Sequence, residues 1–212
     1  LPIHAGEDYT RAMSETSHVA LVLSTVSSSV RWVAYDSLSG HLLGERSWND
    51  DQSRALSDSL GRELALLPVE LSRVGKVLVL TGPGAFTGLR MGVAFAMGLA
   101  RGLGVPLVAI PTWDLFGRPF FIPTRHQMAK KLSLSACLQE SLEFMHVTSP
   151  TESTLAKPSP GDLVLGTAES PEWPSVKDLL QAALHSKTHQ HDSEIKIFYG
   201  LEPKISGERE TR

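Results

Sequence analysis

A single cysteine, Cys137, stands in a chain of 212 residues. It cannot close an intrachain disulfide or supply a cysteine-rich zinc site, and it fits a reducing cytoplasm as the expected location. A basic excess is missing too: 20 Lys and Arg face 23 Asp and Glu, for a formal charge of -3. That balance argues against tight binding of RNA or DNA by the chain alone. No uninterrupted apolar run is long enough to span a membrane. The longest stretch, Phe86 to Ile110, is broken by Arg90 and Arg101, and Val19 to Leu23 is too short for a signal-peptide core. No repeat appears at periods of about 20 to 50 residues. What is present is ordinary for a folded globular chain, 42% apolar and 20% charged, which excludes a disordered one. The length suits one large domain or two small ones. Leu1 is not an initiator residue, so translation is expected to start at Met13, with Leu1 to Ala12 as added sequence; a processed or mobile native tail is the alternative.

His18 to Val26 reads as a strand, Val30 to Tyr35 as a second and Leu42 to Trp48 as a third, with turn chemistry at Ser27 to Ser29 and Asp36 to Gly40. Asn49 to Asp51 offers caps for a helix carrying Leu56, Leu60, Leu64 and Leu67 on one face, ended or kinked by Pro68. Lys76 to Leu80 is an apolar strand of the kind covered on both faces. A Gly/Pro turn leads into a helix over Gly88 to Leu103, closed by Gly104, and then a strand over Leu107 to Ile110. The order βββαβαβ gives an α/β domain with a mixed sheet, expected over residues 18–117 after a tail at 1–17. Residues 118–212 are expected to form a shortened second α/β lobe. Its elements are a short strand at Phe120 to Ile122, a helix within Gln127 to Leu142, a surface loop over Thr148 to Gly161, and a strand at Asp162 to Leu165. A helix from Ser175 and a final strand at Ile195 to Tyr199 complete it.

Seven of the 17 glycines lie between Gly82 and Gly104. The segment Thr81-Gly82-Pro83-Gly84-Ala85-Phe86-Thr87-Gly88-Leu89-Arg90-Met91-Gly92 follows a strand and opens a helix. Amides at such a start can hold an anion. Yet no Gly-Lys-Ser/Thr follows at P-loop spacing, and the third glycine comes one residue late for a dinucleotide fingerprint. On a helical wheel, Arg90 and Arg101 share an arc with Val93, Ala94, Met97 and Gly98, opposite Gly88, Gly92, Ala96, Leu99 and Leu103. The glycine side suits close packing on a sheet. A helix so apolar is expected to be buried on both faces, the second against the chain itself or against a partner.

Gly82 to Gly92 resembles the GPGSFTGxRxG signature of the TsaB (YeaZ) family, and Ala94 to Ala100 with Gly104 to Val108 resembles that family's following helix and strand. The likeness extends loosely over His18 to about Leu115, and weakly to Tyr199 to Pro203. It implies an actin/Hsp70-like (ASKHA, RNase H-like) fold in the glycoprotease-like superfamily. It also implies a non-catalytic scaffold in the complex that makes threonylcarbamoyladenosine in tRNA. The implied partners are a TsaD-like catalytic subunit, bound as a heterodimer through the first two helices, and a TsaE-like ATPase. A homodimer through the same helices is a rival possibility, and the resemblance implies that tRNA is met only through the complex. The partner-binding residues implied on this chain are Leu56, Leu60, Arg90, Val93, Ala94, Met97 and Arg101. Gly82, Pro83, Gly84, Phe86, Thr87 and Gly88 form the signature loop. Ser24-Thr25 stands where the family usually has an Asp, so no carboxylate serves an ATP–magnesium site there. The first helix carries no paired histidines, so no metal ligands are expected, and Met97 replaces the family's usual Lys. No cofactor and no catalytic residue is expected.

Other groupings weigh less. His185, His189 and His191 lack a carboxylate or cysteine to complete a metal site. No GxSxG elbow supports a serine hydrolase. Arg125, His126, Lys130 and Lys131 form a basic patch, read as solvated surface with an auxiliary tRNA contact as the alternative. The rival functions are a nucleotide-dependent phosphotransferase, a glycoprotease-like peptidase and a homodimeric binding protein.

Overall fold

A computed structural model describes residues 18–27, 29–49, 56–124, 132–169, 174–185 and 195–199. Strands β1 (Val19–Ser24), β2 (Ser29–Asp36), β3 (Leu42–Asn49), β4 (Val74–Leu80) and β5 (Leu107–Ile110) form one sheet in the order β3-β2-β1-β4-β5. The first three pair antiparallel, and β4 and β5 join in parallel. Strands β1, β2, β4 and β5 are almost wholly buried, as their continuous Val/Leu runs require of a sheet covered on both sides. Strand β3 is the edge and alternates between exposed and half-buried positions from Leu43 onward. This is the expected mixed sheet with flanking helices of the RNase H-like type.

Period-two alternation divides the sheet's side chains between two layers. Leu21, Leu23, Trp32, Val77 and Val79 meet helices α1 (Leu56–Ala65) and α2 (Phe86–Leu103). Ala20, Val22, Val33, Tyr35 and Leu78 face the other way. There they meet a small antiparallel sheet, β6 (Phe120–Pro123), β7 (Phe144–Val147) and β8 (Ser153–Ala156), and the C-terminal helix. Helix α3 (Leu134–Gln139) packs its Cys137 beneath Phe121 and Phe144. Helix α4 (Val176–His185) begins with a reciprocal cap: Ser175 N–H donates to Asp178 Oδ2 at 2.9 Å and Asp178 N–H donates to Ser175 Oγ at 3.2 Å. Tyr35 is fully buried under α4, its hydroxyl donating to Ala183 O at 3.4 Å, and burial pushes that phenol up to about 12.

Trp32 Nε1 donates to Leu60 O at 3.0 Å, and the Phe95 ring of α2 meets Trp32 edge-on at 6.1 Å. Arg46 of β3 reaches α1 from the side: its Nε and Nη2 donate to Glu63 Oε2 at 3.0 and 2.9 Å. Those hydrogen bonds hold the Glu63 carboxyl below its usual range, with a smaller share from Arg62. A carboxyl depressed in the folded state adds stability that is complete above the unfolded value, 4.5, and is lost as pH falls through the folded value. Glu63→Gln is therefore expected to cost about 0.5–1 kcal/mol near pH 7. In urea titrations that difference from the parent chain should vanish in acid.

Several expectations are corrected. The Thr148 to Gly161 loop contains β8, whose exposed Ser/Thr-rich residues are held by backbone pairing to β7. Asp162 to Leu165 is not a strand but a single parallel bridge, Phe121 to Val164. Ile195 to Tyr199 forms no strand and docks across the sheet's end instead. Of the helix expected within Gln127 to Leu142, residues 127–131 lie outside the described residues, and α3 covers Leu134–Gln139 of the rest. Of the two covers expected for helix α2, the chain's own described residues supply the sheet side only, since Arg90, Ala94, Gly98 and Arg101 are exposed. The first cap region at Asp50–Asp51, the basic patch at Arg125, His126, Lys130 and Lys131, and His189, His191 and Met13 lie outside the described residues. Among the described residues no helix is long and apolar enough to cross a membrane.

Candidate functional site

The glycine segment joins β4 to α2, and its glycines mark close backbone approaches. Gly82 has a φ of +102°, and the carbonyl oxygen of Phe198 occupies the place a Cβ would take. A Cβ on Gly84 would stand 2.7 Å from Val26 Cβ, and the neighbouring Ala85 N–H donates to Val26 O at 2.8 Å. Gly92 rests on the Thr25 side chain. The turn is thus filled from β1 on one side and from residues 195–199 on the other, which favours the packing reading over a phosphate cradle. Ser24, the last residue of β1, and the following Thr25 are fully buried, and among the described residues neither hydroxyl has a hydrogen-bond partner.

Of the residues expected to bind a partner, Leu56 and Leu60 are 0% exposed and Val93 only 4%. All three belong to the core between the helices and the sheet, so the outward assignment is corrected for them. An amphipathic stripe seeks any apolar cover, and the chain's own sheet supplies it. Arg90, Ala94 and Arg101 do face outward, and Met97 is half-buried. In the signature loop Gly82, Pro83 and Gly88 are buried, whereas Phe86 and Thr87 are exposed.

The outward layer contains residues the sequence reading did not single out. Exposed positions of α2 include Ala94, Gly98 and Gly102, one turn apart, with Arg90 and Arg101 beside them. On α1, Ala65 and the following Leu66 are exposed, Leu66 by 55%. Among the described residues, nothing beyond the helix's own neighbouring backbone lies within 4 Å of a Cβ built on Gly98 or Gly102. The four-residue spacing of Ala94, Gly98 and Gly102 was the available signal: small side chains let another backbone come close. Among the described residues no group of three His, Cys, Asp or Glu comes together as a metal site, and His185 is engaged with Gln181 O at 2.7 Å.

Residues 50–118, roughly a third of the chain, match the family described as TsaD, tRNA N6-adenosine threonylcarbamoyltransferase. No curated protein matches the chain. Among solved structures, YeaZ from Pseudomonas aeruginosa is similar at 17% identity and a TM-score of 0.50, over 78% of this chain and 90% of that one. An uncharacterized protein with similarity to peptidase YeaZ from Pseudomonas aeruginosa is similar at 16% identity and a TM-score of 0.54, over 86% of this chain and 99% of the other. At these identities the likeness is one of fold: the chain has a YeaZ-like architecture.

Proposed function

We propose that this chain is a TsaB (YeaZ)-type scaffold, a subunit without chemistry of its own that positions a TsaD-like catalytic subunit for threonylcarbamoyl transfer to tRNA. The observation that carries the reading is the outward layer of α1 and α2. Small residues, Ala65, Ala94, Gly98 and Gly102, are exposed there beside Arg90 and Arg101. A monomer gains nothing from glycine in an exposed helix: each costs about 1 kcal/mol relative to Ala. A helix–helix contact at close range gives those glycines a use. The match of residues 50–118 to the threonylcarbamoyltransferase family and the YeaZ-like fold support the same assignment. The signature loop serves as a rigid foundation that sets α2 against the sheet. A TsaE-like ATPase and tRNA meet this chain within the assembled complex, in the cytoplasm.

Gly98→Glu separates binding from folding. The free chain has open space at Gly98, so a side chain fits there. The variant is expected to be as stable as the parent or about 0.5 kcal/mol more so, because the helix loses a glycine. Bulk and charge in the contact should weaken association with the TsaD-like subunit by about tenfold or more. Thermal melting and calorimetric titration with that subunit check both halves. Full-strength binding by a stably folded Gly98→Glu chain removes α2 from the interface. Absence of binding by the parent chain removes the scaffold reading itself.

A further inference from the structure

Residues 195–199 run as an extended strap over the end of the sheet. Phe198 N–H donates to Thr81 O at 2.9 Å, and the Phe198 carbonyl lies over Gly82. Ile197 packs into both hydrophobic clusters. The strap is thus fixed by its backbone to Thr81, just after β4, and by Ile195, Ile197 and part of Tyr199 to the core. It then presents Tyr199, whose ring lies 4.6 Å from that of Phe86. On the same Phe86 ring sits the Arg90 guanidinium, 5.4 Å from the centroid. Phe86 still keeps 38% of its surface exposed. Phe86 and Arg90 fall on one helical arc with Ala94, Met97 and Arg101, so this stack continues the outward face of α2 at its first turn.

We infer that the strap completes the docking surface, with Tyr199, Phe86 and Arg90 forming an aromatic–cationic corner that receives an acidic helix of the TsaD-like partner. The inference rests on the scaffold reading above. Charge selects the occupant. Helix α2 has no acidic residue, Arg90 is exposed on it, and Lys196 is exposed on the strap. This corner is cationic in a chain whose formal charge is -3. Carboxylates on the incoming helix complement Arg90 and Lys196, the exposed cations of α2 and the strap. Tyr and Arg also supply large contact area at modest cost in side-chain freedom, as dominant interface residues do.

The test titrates the purified TsaD-like subunit into the parent chain and into Tyr199→Ala, Tyr199→Phe and Arg90→Glu, with thermal melts as the fold control. Tyr199→Ala is expected to weaken binding by about tenfold, and Tyr199→Phe by less than about twofold, since the ring carries the contact. Arg90→Glu should weaken it by about thirtyfold at low salt, with a smaller loss at about 1 M salt, because screening blunts only the charged part. A partner carboxylate changed to Arg should restore affinity to Arg90→Glu. If the parent binds and a folded Tyr199→Ala binds within about twofold of it, the strap is no part of the surface and the scaffold reading stands. If the parent does not bind, the scaffold reading falls with it. Binding of tRNA to the chain alone that Arg90→Glu abolishes, or a homodimer that Tyr199→Ala dissolves, overturns the acidic-helix assignment.

Discussion

Trp32→Ala is expected to lower the unfolding free energy by about 4 kcal/mol, read from urea titration. Trp32 is fully buried in the layer between the sheet and the two N-terminal helices, in the cluster that holds Leu23, Leu56, Leu60 and Leu64. Truncation removes the contacts of a whole indole and leaves a cavity that the surrounding strands, fixed by their ladders, cannot close. It also deletes the hydrogen bond to Leu60 O and the edge-on contact with Phe95. Those two contacts tie β2 to α1 and α2 at once, so the loss is felt by both helices of the outward layer. Trp32→Phe keeps most of the packing and should cost only about 1–2 kcal/mol, the part owed to the lost donor and the smaller ring. Against a total stability of about 5–15 kcal/mol, that loss removes between about a quarter and about four fifths of it. A loss below about 1 kcal/mol would mean that α1 is not anchored through this ring.

Strands β1, β2, β4 and β5 were legible because each is an apolar run bounded by turn residues, β3 because it lies between turn chemistry and helix caps, and α2 because its apolar positions recur at helical spacing. Strand β8 was hidden by composition. Its residues Ser153 to Ala156 are half-buried or exposed, and only pairing such as Met145 with Leu155 makes them a strand. Residues 195–199 misled in the opposite sense: Ile-Lys-Ile-Phe-Tyr has the alternation of a strand, but its backbone spends one hydrogen bond on Thr81 O and forms no ladder. The helix stripe of Leu56 and Leu60 was read correctly as apolar and assigned to the wrong cover. Periodicity states that a face is to be buried and is silent on what buries it. The exposed face of α2 was legible at Arg90, Ala94, Gly98 and Arg101 from the helical wheel. Gly102 carries no side chain to register on a hydrophobic pattern, and Tyr199 reaches α2 only through the fold.

The other large effect comes from a single methyl group. Gly92→Ala is expected to destabilise the chain by about 2–3 kcal/mol, although Ala is the better helix former by about 1 kcal/mol. The added Cβ falls on Thr25 Oγ1 and stands 2.8 Å from Thr25 Cγ2 and 3.0 Å from its Cβ. Thr25 is fully buried and β-branched, so it has no free rotamer into which to retreat. The helix must therefore lift, and with it Leu89, Val93, Ala96 and Ala100, which share the buried side of α2. Gly98→Ala, on the open side of the same helix, meets nothing within 4 Å and should stabilise the chain by about 1 kcal/mol. The same substitution, two positions on one helix, opposite signs: helix propensity decides the outcome at Gly98 and contact distance decides it at Gly92. Removing the obstacle gives a further check. Thr25→Ala in the Gly92→Ala background deletes both Oγ1 and Cγ2, and the double variant should recover about half of the loss, a coupling visible in a double-mutant cycle. If Gly92→Ala proves neutral while Thr25 stays wild type, α2 does not sit as close to β1 as these contacts require.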